Sequence, residues 1–165
     1  MRPYRLHRYV PDMDEIHGSA SVRVAAPPQA VFDFITDVGR LPEWNVAIEA
    51  VLAQPTALAE GAEWTVRMHP PRTPRWGSIS RVRELDRGRC LFAYQTRNAD
   101  GNPSYSQWAW EVAGHGDGSD VTVTWDVYLE TFDRKFLGGP LRKRQLAREV
   151  PRSLTALASE VTGER

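Results

Sequence analysis

Cysteine is all but missing from this sequence. Cys90 stands alone among 165 residues, so no disulfide can close within the chain, and the usage fits a reducing compartment. Long hydrophobic runs are missing too. No stretch approaches the roughly eighteen apolar residues that a membrane-spanning helix needs. Where an export signal would need an apolar segment, the N-terminus carries Arg2, Arg5, Arg8, Asp12, Asp14 and Glu15. A cytoplasmic protein without stable membrane insertion is expected. Neither sign of charge dominates, with 21 basic against 21 acidic residues. Phosphate neutralisation needs a basic excess, so nucleic acid is not an expected partner. Lysine is scarce: all basic residues but Lys135 and Lys143 are arginine, a bias that points to a GC-rich genome and not to a function. Metal-ligand spacing is absent as well. His7, His17, His69 and His115 form no HxxxH or HxH pair, and neither a metal nor any other cofactor is expected.

What is present describes one globular domain. A composition of 41% hydrophobic and 25% charged residues is ordinary for a folded chain of this length. A polar arm occupies residues 1–15, and a single domain follows over residues 16–165. Strand candidates are Ile16–Ala25, Val46–Ala53, Ala62–His69, Trp76–Leu85, Arg89–Arg97, Ser104–Ala113 and Asp120–Thr131. Turn-rich pieces separate them, among them Asp86–Gly88, Asn98–Pro103 and Gly114–Gly118, as in an antiparallel meander. With the helices, the predicted order is β-α-α-β-β-β-β-β-β-α. The last helix starts at Asp133, is interrupted at Gly138-Gly139-Pro140, and carries an apolar stripe of Leu146, Val150, Leu154, Leu157 and Val161. The interruption reads either as a gate or as the plain end of one helix and start of another. Pro151 should bend the helix. The surrounding Arg134, Lys135, Arg142, Lys143, Arg144, Arg148 and Arg152 read as a solvated face, with an anionic partner or lipid headgroup as the lesser alternative.

The richest segment is Val24–Asn45, VAAPPQAVFDFITDVGRLPEWN. Pro27 and Pro28 stop a strand and open a helix, because proline at a first helical position gives up an amide that had no partner there. Val31, Phe34, Ile35 and Val38 recur at helical spacing, with Gln29, Asp33 and Thr36 on the other side, and Gly39 is placed to end the helix. Leu41-Pro42-Glu43-Trp44-Asn45 then makes a tighter turn whose tryptophan must go inward. This pattern resembles the N-terminal signature of the START-like, helix-grip superfamily, which includes polyketide cyclase/dehydrases, pollen-allergen-like proteins and lipid-transfer domains. The likeness continues through WGSISRVRELDRG (Trp76–Gly88), Trp108–Glu111, the Gly118–Trp125 run and the C-terminal helix, covering residues 16–162. It implies an α+β fold: a curved antiparallel sheet, here of seven candidate strands, wrapped round a long C-terminal helix with an internal apolar cavity.

Strand alternation says which side chains share a face. Ser106, Trp108, Trp110 and Val112 fall together, as do Val121, Val123, Trp125, Val127 and Leu129, and Trp64, Val66 and Met68; Phe92 and Tyr94 are expected to face the same space. With the cavity that the resemblance implies, the expected ligand contacts are Trp44, Trp64, Val66, Met68, Trp76, Phe92, Trp108, Trp110, Trp125, Phe136 and Leu141. The alternative for each tryptophan is simple core packing. On the fourth strand Trp76, Ser78, Ser80 and Val82 alternate with Ile79, Arg81 and Arg83, and either set fits the inward face. Ser78, Ser80 and Tyr94 are the candidate catalytic groups, able to orient or protonate a ligand oxygen. No base is placed beside a serine, and His69 reads as an exposed strand end. Asp126, Tyr128 and Glu130 are expected to point outward. Arg67 or Arg81 reaches inward only if a bulge reverses the alternation.

The residues together with the resemblance imply a module that binds an apolar, aromatic small molecule, polyketide- or lipid-like, possessed of a role in secondary metabolism. Two alternatives stand beside it. One is a cofactor-free polyketide cyclase/aromatase or dehydratase. The other is a self-resistance protein that sequesters a reactive natural product, with Gly114, Gly116, Gly118, Gly138 or Gly139 as sites of backbone sacrifice. No residue pattern specifies an oligomeric state.

Overall fold

The computed structural model describes residues 15–163, apart from the side chains of Glu15, Phe136 and Leu137; residues 1–14 of the expected arm lie outside the described residues, and Glu15 opens the first strand. Strand β1 (Glu15–Val24) leads through Pro27 into helix α1 (Pro28–Thr36), a 3-10 turn (Val38–Arg40) and the short helix α2 (Leu41–Trp44). Six strands follow: β2 (Ile48–Ala53), β3 (Glu63–Met68), β4 (Trp76–Asp86), β5 (Leu91–Asn98), β6 (Tyr105–His115) and β7 (Gly118–Tyr128). The chain closes with a π-helical turn (Arg134–Gly138) that runs directly into helix α3 (Gly139–Thr162).

Seven strands form one antiparallel sheet in the order β1-β7-β6-β5-β4-β3-β2. Every neighbour from β2 to β7 is a sequential hairpin, while β1 joins β7 at the far edge. The α1–α2 connection must therefore carry the chain from one edge of the sheet to the other. Register shifts at Ile48/Ala50 and Val51/Ala53 in β2 and at Val82/Glu84 in β4 bend the strands there. Helix α3 lies across the concave side and meets β1, α1 and α2. Its Leu146, Val150, Leu154 and Leu157 are buried, in one core cluster with Val121, Val123, Trp125 and Val127 of β7. Each such aliphatic side chain contributes about 1.5–3 kcal/mol by leaving water.

Local chemistry explains most boundaries. Pro27 is extended (φ −61°, ψ 148°) and its carbonyl accepts from Val31 N at 3.2 Å, so α1 begins without a side-chain cap. The buried arc of α1 is broader than its sequence spacing suggests. Phe32 and Thr36 are buried along with Val31, Phe34 and Ile35, and Thr36 Oγ1 donates back to the Phe32 carbonyl at 2.9 Å. Contact with β6, β7 and α3 covers the helix on several sides, so Thr36 belongs to the interior rather than to the exposed side. The helix also ends before Gly39, at Asp37, because a 3-10 turn takes over from Val38. Strand β5 starts two residues later than the sequence suggests: Arg87–Cys90 is a turn, Cys90 has φ 51°, and Asp86 Oδ1 accepts from Arg89 N at 3.0 Å.

The C-terminal region differs most from expectation. Gly138 (φ −94°, ψ −29°) and Gly139 (φ −58°, ψ −53°) are helical, and Pro140 follows without a break. A π turn widens the helix ahead of Pro140, so the proline has no regular α-helical turn before it to disrupt. Neither a gap nor a termination lies there. Helix α3 continues through Pro151, on its exposed side, and stops at Gly163 in the left-handed conformation (φ 70°). Among the described residues no helix is long and apolar enough to cross a membrane.

Candidate functional site

Between the concave sheet and α3 lies a cavity of about 600 Å³, within the range of small-molecule sites. Its exposed lining residues, Arg97, Asp133 and Leu141, mark the mouth at the N-terminal end of α3. Three kinds of surface meet inside.

The first is aromatic. Trp64, Trp76, Trp108 and Trp110 line the cavity with Val66 and Met68, and Leu141 sits at the rim. Three of the expected contacts do not line it. Trp44 is 2% exposed and lies edge-on behind Trp110, ring centroids 5.4 Å apart. Phe92 is covered by Trp64 and Tyr94, at 5.9 and 5.1 Å. Trp125 lies behind Trp108 at 5.9 Å and over Gly18, its partner across β1 and β7. All three point inward, Phe92 and Trp125 as strand alternation requires and Trp44 from the end of α2, but a second aromatic ring stands between each and the open space. The Phe136 side chain lies outside the described residues.

The second surface is hydroxyl-rich. On β4 the set Trp76, Ser78, Ser80 and Val82 faces inward, with Ser78 and Ser80 buried and Arg81 and Arg83 exposed. Ser80 Oγ and Thr96 Oγ1 are 2.7 Å apart, and Ser78 Oγ donates to the Arg97 carbonyl at 3.4 Å. The Tyr94 hydroxyl accepts from Trp110 Nε1 at 3.3 Å, and burial pushes its pKa up to about 12. Tyr94 is therefore a proton donor, not a phenolate, at neutral pH. Trp108 Nε1 donates to Ser106 Oγ at 3.0 Å. Among the described residues no histidine lines the cavity, and His69 lies outside, 3.4 Å from Glu49. Ser78 and Ser80 thus have hydrogen-bonding partners but no adjacent base.

The third surface is the underside of α3, where sequence reasoning missed the most. Arg142, Gln145, Glu149 and Ser153 line the cavity from one side of the helix. Arg142 Nη1 donates to Gln145 Oε1 at 3.1 Å. Gln145 Nε2 is buried without a hydrogen bond of full geometry, yet the amide is near enough to Glu149 to favour its carboxylate form. Burial is the larger influence and raises the Glu149 pKa; Gln145, Arg142 and Arg152 oppose it. Burial likewise works against the charge on Arg142, which keeps its proton because an arginine starts so high. Ser153 Oγ accepts from Val46 N at 3.1 Å, tying α3 to the loop before β2. At the rim, Arg134 donates to Asp100 at 3.2 Å and, with the Asn98 amide oxygen turned toward it, to Asn98 at 3.0 and 3.1 Å. A signal for this surface was present in the sequence: 142, 145 and 149 flank the apolar positions 146 and 150 at helical spacing.

Among the described residues, Arg142 is the arginine on the inner wall, with Arg97 and Arg134 at the rim, and neither Arg67 nor Arg81 lines the cavity. Both of those are exposed on the outer face, and Arg67 lies 3.8 Å from Glu49. Asp126 binds His17 at 2.8 Å on the outer face, as the alternation predicts. Of the glycines considered for backbone chemistry, Gly138 lines the cavity, while Gly114, Gly116 and Gly118 lie around the β6–β7 hairpin away from it.

The comparisons agree with this architecture. A solved protein of Chromobacterium violaceum superposes with a TM-score of 0.70 at 19% identity, over 93% of this chain and 99% of that one. The Zhui aromatase/cyclase of a Streptomyces species gives 0.68 at 21% identity, over 90% and 94%. Ara h 8.0201 gives 0.67 at 12%, over 90% and 99%. At these identities the likeness is one of fold. No curated protein matches the chain. The sequence profile of one family matches residues 15–162, nearly the whole of it. By that match and by its helix-grip fold, the chain belongs to the polyketide cyclase/dehydrase and lipid transport family.

Proposed function

We propose that this protein binds a flat, apolar, oxygen-bearing aromatic molecule of polyketide type in the cavity under α3. One observation carries the reading: indole walls from Trp64, Trp76, Trp108 and Trp110 face a polar roof of Arg142, Gln145 and Glu149 across about 600 Å³. Rigid aromatic walls suit planar ligands, and a few fixed polar groups orient them. A long-chain lipid would use the walls but leave the half-buried Arg142 and the buried Glu149 facing hydrocarbon, which costs free energy. Ser78, Ser80 and Tyr94 then hold carbonyl or phenol oxygens on the sheet side. A cytoplasmic location goes with this reading, supported by the lone thiol Cys90.

The test is a titration of intrinsic tryptophan fluorescence with polycyclic aromatic polyketides and, separately, long-chain lipids. Saturable quenching by the aromatics is the expected result. Quenching by lipids alone would overturn the ligand class, and silence from both would overturn the pocket.

A second reading, cofactor-free cyclisation or dehydration, is favoured by one feature: a buried carboxyl, Glu149, shares the cavity with proton-donating Tyr94. Folding a poly-β-ketone so that an enol carbon meets a carbonyl is largely a matter of proximity. Glu149 would take the proton from the carbon acid and Tyr94 would supply one to the carbonyl oxygen. Turnover of a ligand, and not its return unchanged, distinguishes this reading from binding.

A further inference from the structure

Charge is balanced over the whole chain but not along α3. From Arg134 to Arg152 the sequence holds Arg134, Lys135, Arg142, Lys143, Arg144, Arg148 and Arg152 against one carboxylate, Glu149. That carboxylate is buried beneath the helix. Elsewhere, Arg23, Arg40, Arg67, Arg75 and Arg87 each lie within 4.0 Å of an acidic side chain, and the exposed arginines that do not, Arg72, Arg81, Arg83, Arg89 and Arg97, are spread over β4, β5 and two turns instead of following one helix. Lys143, Arg144 and Arg148 are exposed, and no acidic group among the described residues lies at that distance from them.

Position along the helix organises this charge. Leu141, Arg144, Arg148 and Arg152 are spaced three, seven and eleven residues apart from the first, which puts them on one outward stripe. The stripe ends at the cavity mouth in exposed apolar side chains. Leu141 is 66% exposed and Phe132, next to the rim residue Asp133, is 76% exposed. Large apolar groups so exposed, bordered by unpaired guanidinium groups, form the pattern of an interfacial surface.

We propose that this stripe docks the protein peripherally on an anionic lipid bilayer. Arg144, Arg148 and Arg152 meet the lipid phosphates, and Phe132 and Leu141 enter the headgroup boundary, so that the mouth of the cavity opens toward the membrane. Guanidinium groups pair with phosphate oxygens in a bidentate manner, and juxtaposed basic residues draw a protein to an acidic leaflet. An acidic protein would answer the same charges. The bilayer is favoured because the exposed apolar pair stands at the rim of an apolar cavity, where a ligand dissolved in lipid could cross without passing through water. The surface stands independently of the ligand proposed above, and its test needs none.

The experiment is flotation of the full chain with phosphatidylcholine vesicles, with and without about 30 mol % phosphatidylserine. Binding to the anionic vesicles only, weakening as salt rises, is the expected result. Arg144→Glu with Arg148→Glu should lower partitioning at least about ten-fold. Phe132→Ser with Leu141→Ser should lower it about ten-fold at unchanged charge. Arg89→Glu, at the far β4–β5 turn, should change it little, and circular dichroism confirms that each variant is folded. No flotation with anionic vesicles at low salt overturns the proposal, as does equal flotation of the Arg144/Arg148 double variant. Capture of an acidic protein without vesicle binding would also overturn it.

Discussion

Arg142 donates to Gln145 at 3.1 Å across one turn of α3, and both line the cavity instead of facing solvent. Glu149 favours the charge on Arg142, but burial is the larger influence and works against it, so the guanidinium is only partly compensated. The natural complement is an acidic oxygen on a ligand.

Arg142→Met should therefore discriminate between ligands. Affinity for arenes bearing a carboxylate or phenolate should fall about 10- to 100-fold, the range for a lost hydrogen bond to a charged group. Affinity for the corresponding neutral arenes should stay nearly unchanged. Fluorescence titration of both ligand classes against both proteins reads the difference.

Glu149 makes stability depend on pH. Its carboxyl pKa is raised by burial above the ordinary value of 4.5, so between those two values the folded state binds more protons than the unfolded one. The contribution is fully present below the ordinary carboxylate pKa and is lost as pH rises through the raised value. Glu149→Gln should flatten that slope. Denaturant midpoints from acid to neutral pH should show the variant's loss relative to the parent shrinking, or reversing, as pH rises; a constant difference would contradict the burial effect.

Two tryptophans on adjacent strands should behave oppositely. Trp108 lines the cavity and Trp125 lies behind it, over Gly18. Trp108→Leu should weaken aromatic ligands about ten-fold, the order of an aromatic stacking contact, with a modest effect on stability. Trp125→Leu should destabilise by about 2–4 kcal/mol, as large core truncations do, and leave affinity in the folded protein little changed. Paired urea melts and titrations separate the two effects.

Gly18 has a packing reason of its own. A Cβ there would meet the Trp125 ring at 2.3 Å, and that ring is hemmed in by Trp108. Gly18→Ala should destabilise by about 1–3 kcal/mol through overpacking. Thermal melts of Gly18→Ala alone and combined with Trp125→Leu test this, because the second change removes the clash.

Local pattern decided a good deal. Period-two alternation in Val121, Val123, Trp125 and Val127 marks a half-buried strand whatever it pairs with, and all seven strands lie within a few residues of their expected positions. Pro27 and Pro28 start α1 because proline's fixed φ and missing amide act through their own backbone. Ser78, Ser80 and Tyr94 were identifiable as lining residues by the same alternation, once β4 was oriented.

Only the tertiary structure decided the rest. Alternation cannot say which face of β4 is concave; the curvature of the sheet round α3 turns Ser78 and Ser80 inward and leaves Arg81 and Arg83 in water. Nor can it rank inward side chains by depth, so Trp44, Phe92 and Trp125 share the direction of the cavity wall but not its surface. The flank of α3 that carries Arg142, Gln145 and Glu149 would be solvated on an isolated amphipathic helix. The curved sheet brings its far wall over that flank, and the same residues become the roof of a binding site. The continuous helix through Gly138-Gly139-Pro140 has a similar origin, since these residues break helices by propensity, and a preceding π turn, with Gly139 close against Leu129, accommodates them. Burial, pKa and access depend on distances between segments far apart in the chain, and those distances exist only once the sheet has closed around the helix.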